Sequence, residues 1–146
     1  MHPAPVTDMR QKILDLEGEL RKMEPIDLET VHHFAPGVYM RELKIPQGVT
    51  LTGKIHKTEH LNILSHGVIK VWTEAGMRTL SGSSVIKSKP GIKRVGHALT
   101  DSVWITVHPN PDNIEDVKKL EDLLVVERFD QLETFMEEKK QIQGKD

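Results

Sequence analysis

"HKTEH", residues 56–60, is the stretch whose reading decides the fold. It matches H-x-x-E-H, the inverted form of a zinc-protease signature. That chemistry needs both histidines on adjacent turns of a helix, with the glutamate as general base. The flanks point to strands instead. "VTLTGKI" before it is rich in β-branched residues and carries Gly53, and "LNILSHGVIKVWTE" after it is strand-like and carries Gly67. No third ligand stands out on a following helix, where Glu115, Glu121 and Glu127 are generic surface candidates. The stretch is therefore expected at a bend between two strands of a small barrel.

Outward from the bend, residues 30–110 are β in character. The candidate strands are "GVYMRELKI", "VTLTGKIH", "LNILSHGVIKVWTE", "MRTLSG", "SSVIKSK", "KRVGHAL" and "SVWITVH". They are short, rich in Val, Ile and Thr, and punctuated by "APG", "PQG", "EAG", "KPG" and "LTD". Strands at this spacing suggest a sandwich or closed barrel, and no long helix interrupts them as a parallel sheet would require. Residues 7–24 read as a helix: Met9, Ile13, Leu16, Leu20 and Met23 form one stripe, Thr7 or Asp8 can cap it and Pro25 stops it. The stripe suits docking on its own domain or pairing with a second subunit. "PDNIEDVKKLEDLLV" reads as another helix, with Asp112 or Asn113 as cap and Ile114, Val117, Leu120 and Leu124 on one face. "RFDQLETFMEEKKQIQGKD" adds a further helix and a charged, frayed tail. The expected division is a helical segment over 1–29, a barrel over 30–110, and a helical segment with tail over 111–146.

Composition narrows the function classes. A chain of 146 residues is long enough for one domain with one core. Net charge is -2, which gives no electrostatic case for nucleic acid. Cysteine is absent, which removes disulfides, thiolate zinc sites and cysteine nucleophiles together. The N-terminal stretch lacks the apolar core of a signal peptide, and no run approaches the roughly 18 apolar residues of a membrane span. A soluble, cytoplasmic protein is expected. No Ser-His-Asp arrangement or carboxylate pair stands out. The oddity is eight histidines, of which His56, His60, His66 and His97 lie in the central segment and His108 closes it.

Strand alternation sorts these residues. His60, Asn62 and Leu64 share one face of their strand, and His108 shares a face with Trp104 and Thr106. His66 precedes Gly67 and is expected in a turn. His97 follows Gly96 and reads as exposed or packing. His32 or His33 can cap a strand, and Tyr39 and Trp72 read as packing residues. "KSKPGIKR", residues 87–94, reads as a solvated turn or as a phosphate or sugar-nucleotide contact at a barrel mouth. "SVWITVH" is apolar on both faces and needs a cover outside the barrel, which the terminal helices of this chain or of a partner can supply.

Over residues 35–110 the sequence resembles the cupin superfamily. The first cupin motif runs from a glycine through a histidine pair to a glutamate, an apolar run and a second glycine. Here Gly53, His56 and "EHLNILSHG" supply it, with His60 in the glutamate position. The second motif, a proline-glycine turn followed by a histidine, is matched by "KPGIKRVGHALTDSVWITV". The wording "KIHKTEHLNILSHG" also resembles small cupin-like proteins of bacteriophages and prophages. There are departures. Lys54 and Thr58 leave His56 alone of the histidine pair, and Arg94 stands where the second-motif histidine is usual.

The resemblance implies a small jelly-roll barrel, with the first-motif strand beside the last. His56 and His108 would then meet across the mouth, with His60 next to them. Three neutral imidazoles there suit a divalent transition metal such as Fe, Zn, Ni or Mn. Asn62, Thr106 or Glu59 would steady the ring nitrogens, and Arg94, Asn62 and Thr106 would contact a ligand. Arg94 pointing inward would favour a small anion and oppose a cation. A homodimer is expected. The superfamily includes dioxygenases, isomerases and epimerases, so a metal-dependent small-molecule protein is one expectation. A non-catalytic phage accessory or virion protein is the second. An anion or sugar-nucleotide sensor using Arg94 and Lys93 is the third.

Overall fold

The computed structural model describes residues 6–23 and 27–143. Along the chain come α1 (Val6–Arg21), β1 (Thr30–Ala35), β2 (Gly37–Ile45), β3 (Thr50–Thr52), β4 (Ile55–His56), β5 (His60–His66), β6 (Val68–Thr73) and β7 (Gly76–Ser81). They are followed by β8 (Ser84–Ser88), β9 (Val95–Ala98), β10 (Ser102–Asn110), α2 (Val117–Leu124), β11 (Val125–Val126) and α3 (Phe129–Gln143). The strands form a five-stranded sheet in the order β1-β2-β10-β5-β8, a four-stranded sheet in the order β3-β9-β6-β7, and a small ribbon of β11 and β4. Every pairing is antiparallel. The two larger sheets face each other as the halves of a small jelly-roll.

The zinc-protease reading is excluded. His56 ends β4, residues 57–59 bend, and His60 opens β5, so no helix passes through the motif. The strand after the bend continues to Gly67, whose φ is +97°. A Cβ there would run into Ser102 Oγ and the Asp101 carbonyl. Only glycine turns β5 into β6 so close to the start of β10. Two strands lie outside the expected set: Val125, expected at the end of a helix, opens β11, which pairs with β4, and "TVHHFA" forms β1, a hairpin partner of β2 across Gly37, which has φ +77°. His32 and His33 are therefore strand residues rather than caps.

Alternation on the five-stranded sheet sets one end of the barrel against the other. Thr106 pairs with Arg41 on one side and Asn62 on the other. One inward step along, His108 pairs with Tyr39 and His60 with Ser88. One inward step the other way, Trp104 pairs with Leu43 and Leu64. At that second end Ile45, Leu64, Ile69, Val71, Leu80 and Ala98 form the main core, with Leu43, Leu51, Ile86 and Trp104 packed against it. Each such aliphatic side chain, once buried, contributes about 1.5–3 kcal/mol.

The helices take positions that strand alternation does not specify. α1 packs on its own barrel, against β3 and β6, with Ile13 buried. Lys93 Nζ, almost fully buried, meets Glu17 Oε2 of α1 at 2.6 Å and donates to the Gly53 carbonyl, while Thr52 Oγ1 donates to the same carboxylate. Arg10 adds a 2.6 Å ion pair to Glu74 and lies over the Phe129 ring. Asp8 falls in the first turn of α1 rather than capping it, and the side chain of Thr7 lies outside the described residues. Pro25 and the tail residues 144–146 lie outside the described residues.

α2 starts later than Asp112 or Asn113 would have it. Its cap is Asp116, which accepts from the Lys119 amide, whereas Asn113 occupies a turn with φ +52°. Leu120 and Leu124 of α2 pack with Tyr39, Ile114 and Val125 over the histidine end of the barrel. The expected cover for β10 is thus not supplied by the helices of this chain. They dock on the opposite sheet and over the mouth, and Val103, Ile105 and Val107 stay partly exposed.

Candidate functional site

A half-open cavity of about 470 Å³ runs inside the barrel from the histidine end toward the main core. His108 lines it as an inward residue of β10, and His60, buried on β5, sits behind the lining rather than in it. His56 comes from the β4–β11 ribbon, which pairs it with Val125. The three rings stack. His56 lies 3.9 Å from His60 and 5.2 Å from His108, and His60 lies 5.6 Å from His108, centroid to centroid. Tyr39 continues the stack beyond His108 at 5.7 Å, and its hydroxyl lies 2.7 Å from His32 Nδ1.

Two buried ring nitrogens in this stack lack a partner. His60 Nδ1 lies 3.0 Å from the Thr58 carbonyl, so it carries the proton and leaves Nε2 as a free, buried lone pair. His108 Nδ1 is likewise buried without a partner. Burial holds all three rings neutral at pH 7. It pushes the His56 pKa down to about 2, helped by positive charge on His60, His108, Arg94 and Arg41. It lowers His108 to about 4, with His60 and Arg41 adding to the effect. His60 is also lowered by burial, partly opposed by its bond to Thr58 and reinforced by Arg94.

Two guanidinium groups share the cavity. Arg94 points inward and donates to Ser88 Oγ; burial lowers its pKa. Arg41, which lies next to Tyr39 along the inward face of β2, also lines the cavity, and its Nε is buried without a partner. Among the described residues neither arginine has a carboxylate within ion-pair distance. Glu121 lines the same cavity but pairs with Lys54 at 3.6 Å. Asp27 also lines the cavity but is not within ion-pair distance of either arginine. Two half-buried cations without a paired carboxylate among the described residues invite an anion.

Arg41 was missed in the sequence, although a signal existed. In "GVYMRELKI" the residues 39, 41, 43 and 45 share a face, and an arginine among Tyr, Leu and Ile there is out of place unless it faces a polar cavity. The expected supports of the histidines also differ from those found. Asn62 donates to Ser88 Oγ at 2.6 Å and accepts from Thr106 Oγ1 at 3.2 Å, so these residues form a chain to Arg94 and leave the rings alone. Glu59 pairs with Lys87 on the surface at 2.7 Å. Lys93 of the basic run points away from the cavity to α1, which removes it from an anion sensor. His97 lies on the outer face, 2.7 Å from Thr50 Oγ1, and His66 is exposed at the end of β5.

The donor chemistry fits a transition metal, because a neutral imidazole with a free lone pair is the ligating form. The ring geometry is less finished. Among the described residues no three His, Asp or Glu side chains already surround a common point, so the stack must open for three nitrogens to converge. No helix among the described residues is long and apolar enough to cross a membrane.

No protein-family model matches the sequence, and no curated protein matches it either. Solved structures do. The chain is similar to KdgF from a Halomonas species, with TM-score 0.52 and 15% identity over 67% of this chain and 93% of that one. It is similar to an RmlC-like cupin from Shewanella frigidimarina, with TM-score 0.52 and 12% identity over 65% and 86% of the two chains. It is also similar to salicylate 1,2-dioxygenase from Pseudoaminobacter salicylatoxidans, with TM-score 0.54 and 8% identity, covering 80% of this chain and 34% of that one. At these identities the likeness establishes a cupin fold, and function has to be argued from the site.

Proposed function

We propose that this barrel binds a small organic anion beside a divalent transition metal held by His56, His60 and His108. The observation that carries the reading is the cavity's imbalance: half-buried His56 and buried His108 line it beside Arg41 and Arg94, His60 Nε2 and His108 Nδ1 are buried without a partner, and among the described residues no carboxylate lies within ion-pair distance of either arginine. A bound metal would act as a Lewis acid on an oxygen of the ligand. The chain's own groups do the rest. Arg94, steadied by Ser88, and Arg41 hold the anion, and Leu120 and Leu124 of α2 exclude water from the mouth. A metal dication beside two arginines is costly alone, so metal and anion should bind with mutual help.

A scaffold role in a bacteriophage particle is the rival reading, and the stacked, unconverged rings are what favours it. A homodimer belongs to the proposal as well. The outward face of the five-stranded sheet carries Leu61 and Val85, 43% and 68% exposed, and a second copy would cover it. Light scattering on wild type and on Leu61→Lys with Val85→Lys checks this, with a dimer expected for the first and a monomer for the second.

Elemental mass spectrometry on protein made without a histidine tag tests the metal directly. Close to one Fe, Zn, Ni or Mn per chain is expected, falling to trace levels in a folded His56→Ala variant. No metal in the wild type, even after incubation with those ions, would leave the scaffold reading.

A further inference from the structure

The anion's chemical class can be read from the wall opposite the arginines. We infer that the ligand is an amphipathic carboxylic acid, with an aromatic or short aliphatic body rather than a sugar or an inorganic ion. This rests on the anion-binding reading above. The cavity's polar groups gather at one end, whereas Leu43, Leu51, Ile69, Val71 and Trp104 line the other. Those residues belong to the core or pack against it, yet they leave a volume within the roughly 300–1,000 Å³ typical of sites for small organic molecules. Phosphate or sulfate would satisfy the arginines and leave that apolar wall facing an empty or wet space.

A sugar acid needs hydrogen-bond partners along its body. The neutral polar side chains that line the cavity are already committed. Asn62 spends its amide on Ser88 and its carbonyl on Thr106, and Ser88 accepts from both Asn62 and Arg94. Burying sugar hydroxyls against Ile69, Val71 and Trp104 would cost their hydration without return. A carboxylate on Arg94 and Arg41 with an apolar body on Trp104 satisfies both walls. Trp104 would then be the residue that reads the body.

Trp104 is also the reporter. The sequence holds two tryptophans, so Trp72→Phe leaves Trp104 as the sole emitter. Emission is titrated with benzoate, hexanoate, benzamide, gluconate and inorganic phosphate, on chelator-treated and on Zn²⁺-loaded protein. Calorimetry on the wild type repeats each titration without the tryptophan change. Benzoate or hexanoate should bind about tenfold or more tighter than benzamide, gluconate and phosphate, and weaken about tenfold or more in folded Arg94→Gln and Arg41→Gln variants. Phosphate or gluconate binding as tightly, with loss in the arginine variants, would overturn the amphipathic class and keep the anion site. Benzamide binding as tightly as benzoate would overturn the role of the arginines. No binding of any probe to either form would overturn both.

Discussion

β5 contains both ends of the barrel within one strand. His60 and Asn62 face the cavity end, and Leu64 faces the core. β10 repeats the contrast with His108 and Thr106 at one end and Trp104 toward the other. The β5–β10 ladder runs in one register from Leu61 to Leu64 and shifts between Val103 and Trp104, so the difference along the shared stretch lies in side chains. At the Leu64 end, inward residues remove apolar surface from water and hold the two sheets together. At the His60 end, they bury partnerless nitrogens of His60, His108 and Arg41 and half-bury two arginines that among the described residues have no carboxylate partner, which opposes folding. One end of the fold supplies the stability that the other end spends.

The largest test breaks the stable end. Leu64→Ala should cost about 2–5 kcal/mol in urea unfolding, because Leu64 is fully buried between the sheets and the hole cannot collapse freely. Metal or anion binding by the surviving folded fraction should change little.

Acid comes next and acts on the other end. In metal-free protein His56 and His108 titrate near 2 and near 4, against about 6.5 in the unfolded chain. Between those values the unfolded state binds more protons, so stability rises with pH. It should be fully present above about pH 6.5 and lost as pH falls, by about 2 kcal/mol for each of these histidines at pH 5. Denaturation midpoints between pH 7.5 and 5 measure the slope. A flat profile would mean that the rings are not buried as described.

His108→Leu should have the opposite sign. It removes an orphaned buried nitrogen and inserts an apolar side chain, so metal-free stability should rise by about 1–3 kcal/mol while metal binding falls away. Smallest is Thr106→Val, which deletes one bond in the Thr106–Asn62–Ser88–Arg94 chain. About 1 kcal/mol is expected, with weaker anion binding if Arg94 loses its posture.

The strands were legible because their signals are local. "GVYMRELKI" is β2 to the residue, and the faces of His60, Asn62 and Leu64 follow from alternation alone. The pairing of β5 with β10, and with it the meeting of His56, His60 and His108, came from the likeness to cupins. What stayed hidden depends on long-range contacts. Lys93 and Arg94 are neighbours in one basic run, yet one points to Glu17 of α1 and the other into the cavity. Arg41 looks like a surface charge until its face is known. "TVHHFA" lacks a strong strand pattern and is held by its hairpin to β2. The helix that covers the mouth is set by Leu120 and Leu124 finding Tyr39, more than 80 positions away in the chain.

The most direct measurement is the unfolding of chelator-treated wild type and His108→Leu with and without Zn²⁺. If the histidine end is a ligand site maintained at the expense of stability, metal-free His108→Leu is the more stable protein. Zn²⁺ then raises the wild type, by about 2.7 kcal/mol at a hundredfold excess over its Kd, and leaves the variant unmoved. A wild type that Zn²⁺ does not stabilise, together with a variant less stable than it, would contradict this and make the histidine stack a structural part of the barrel.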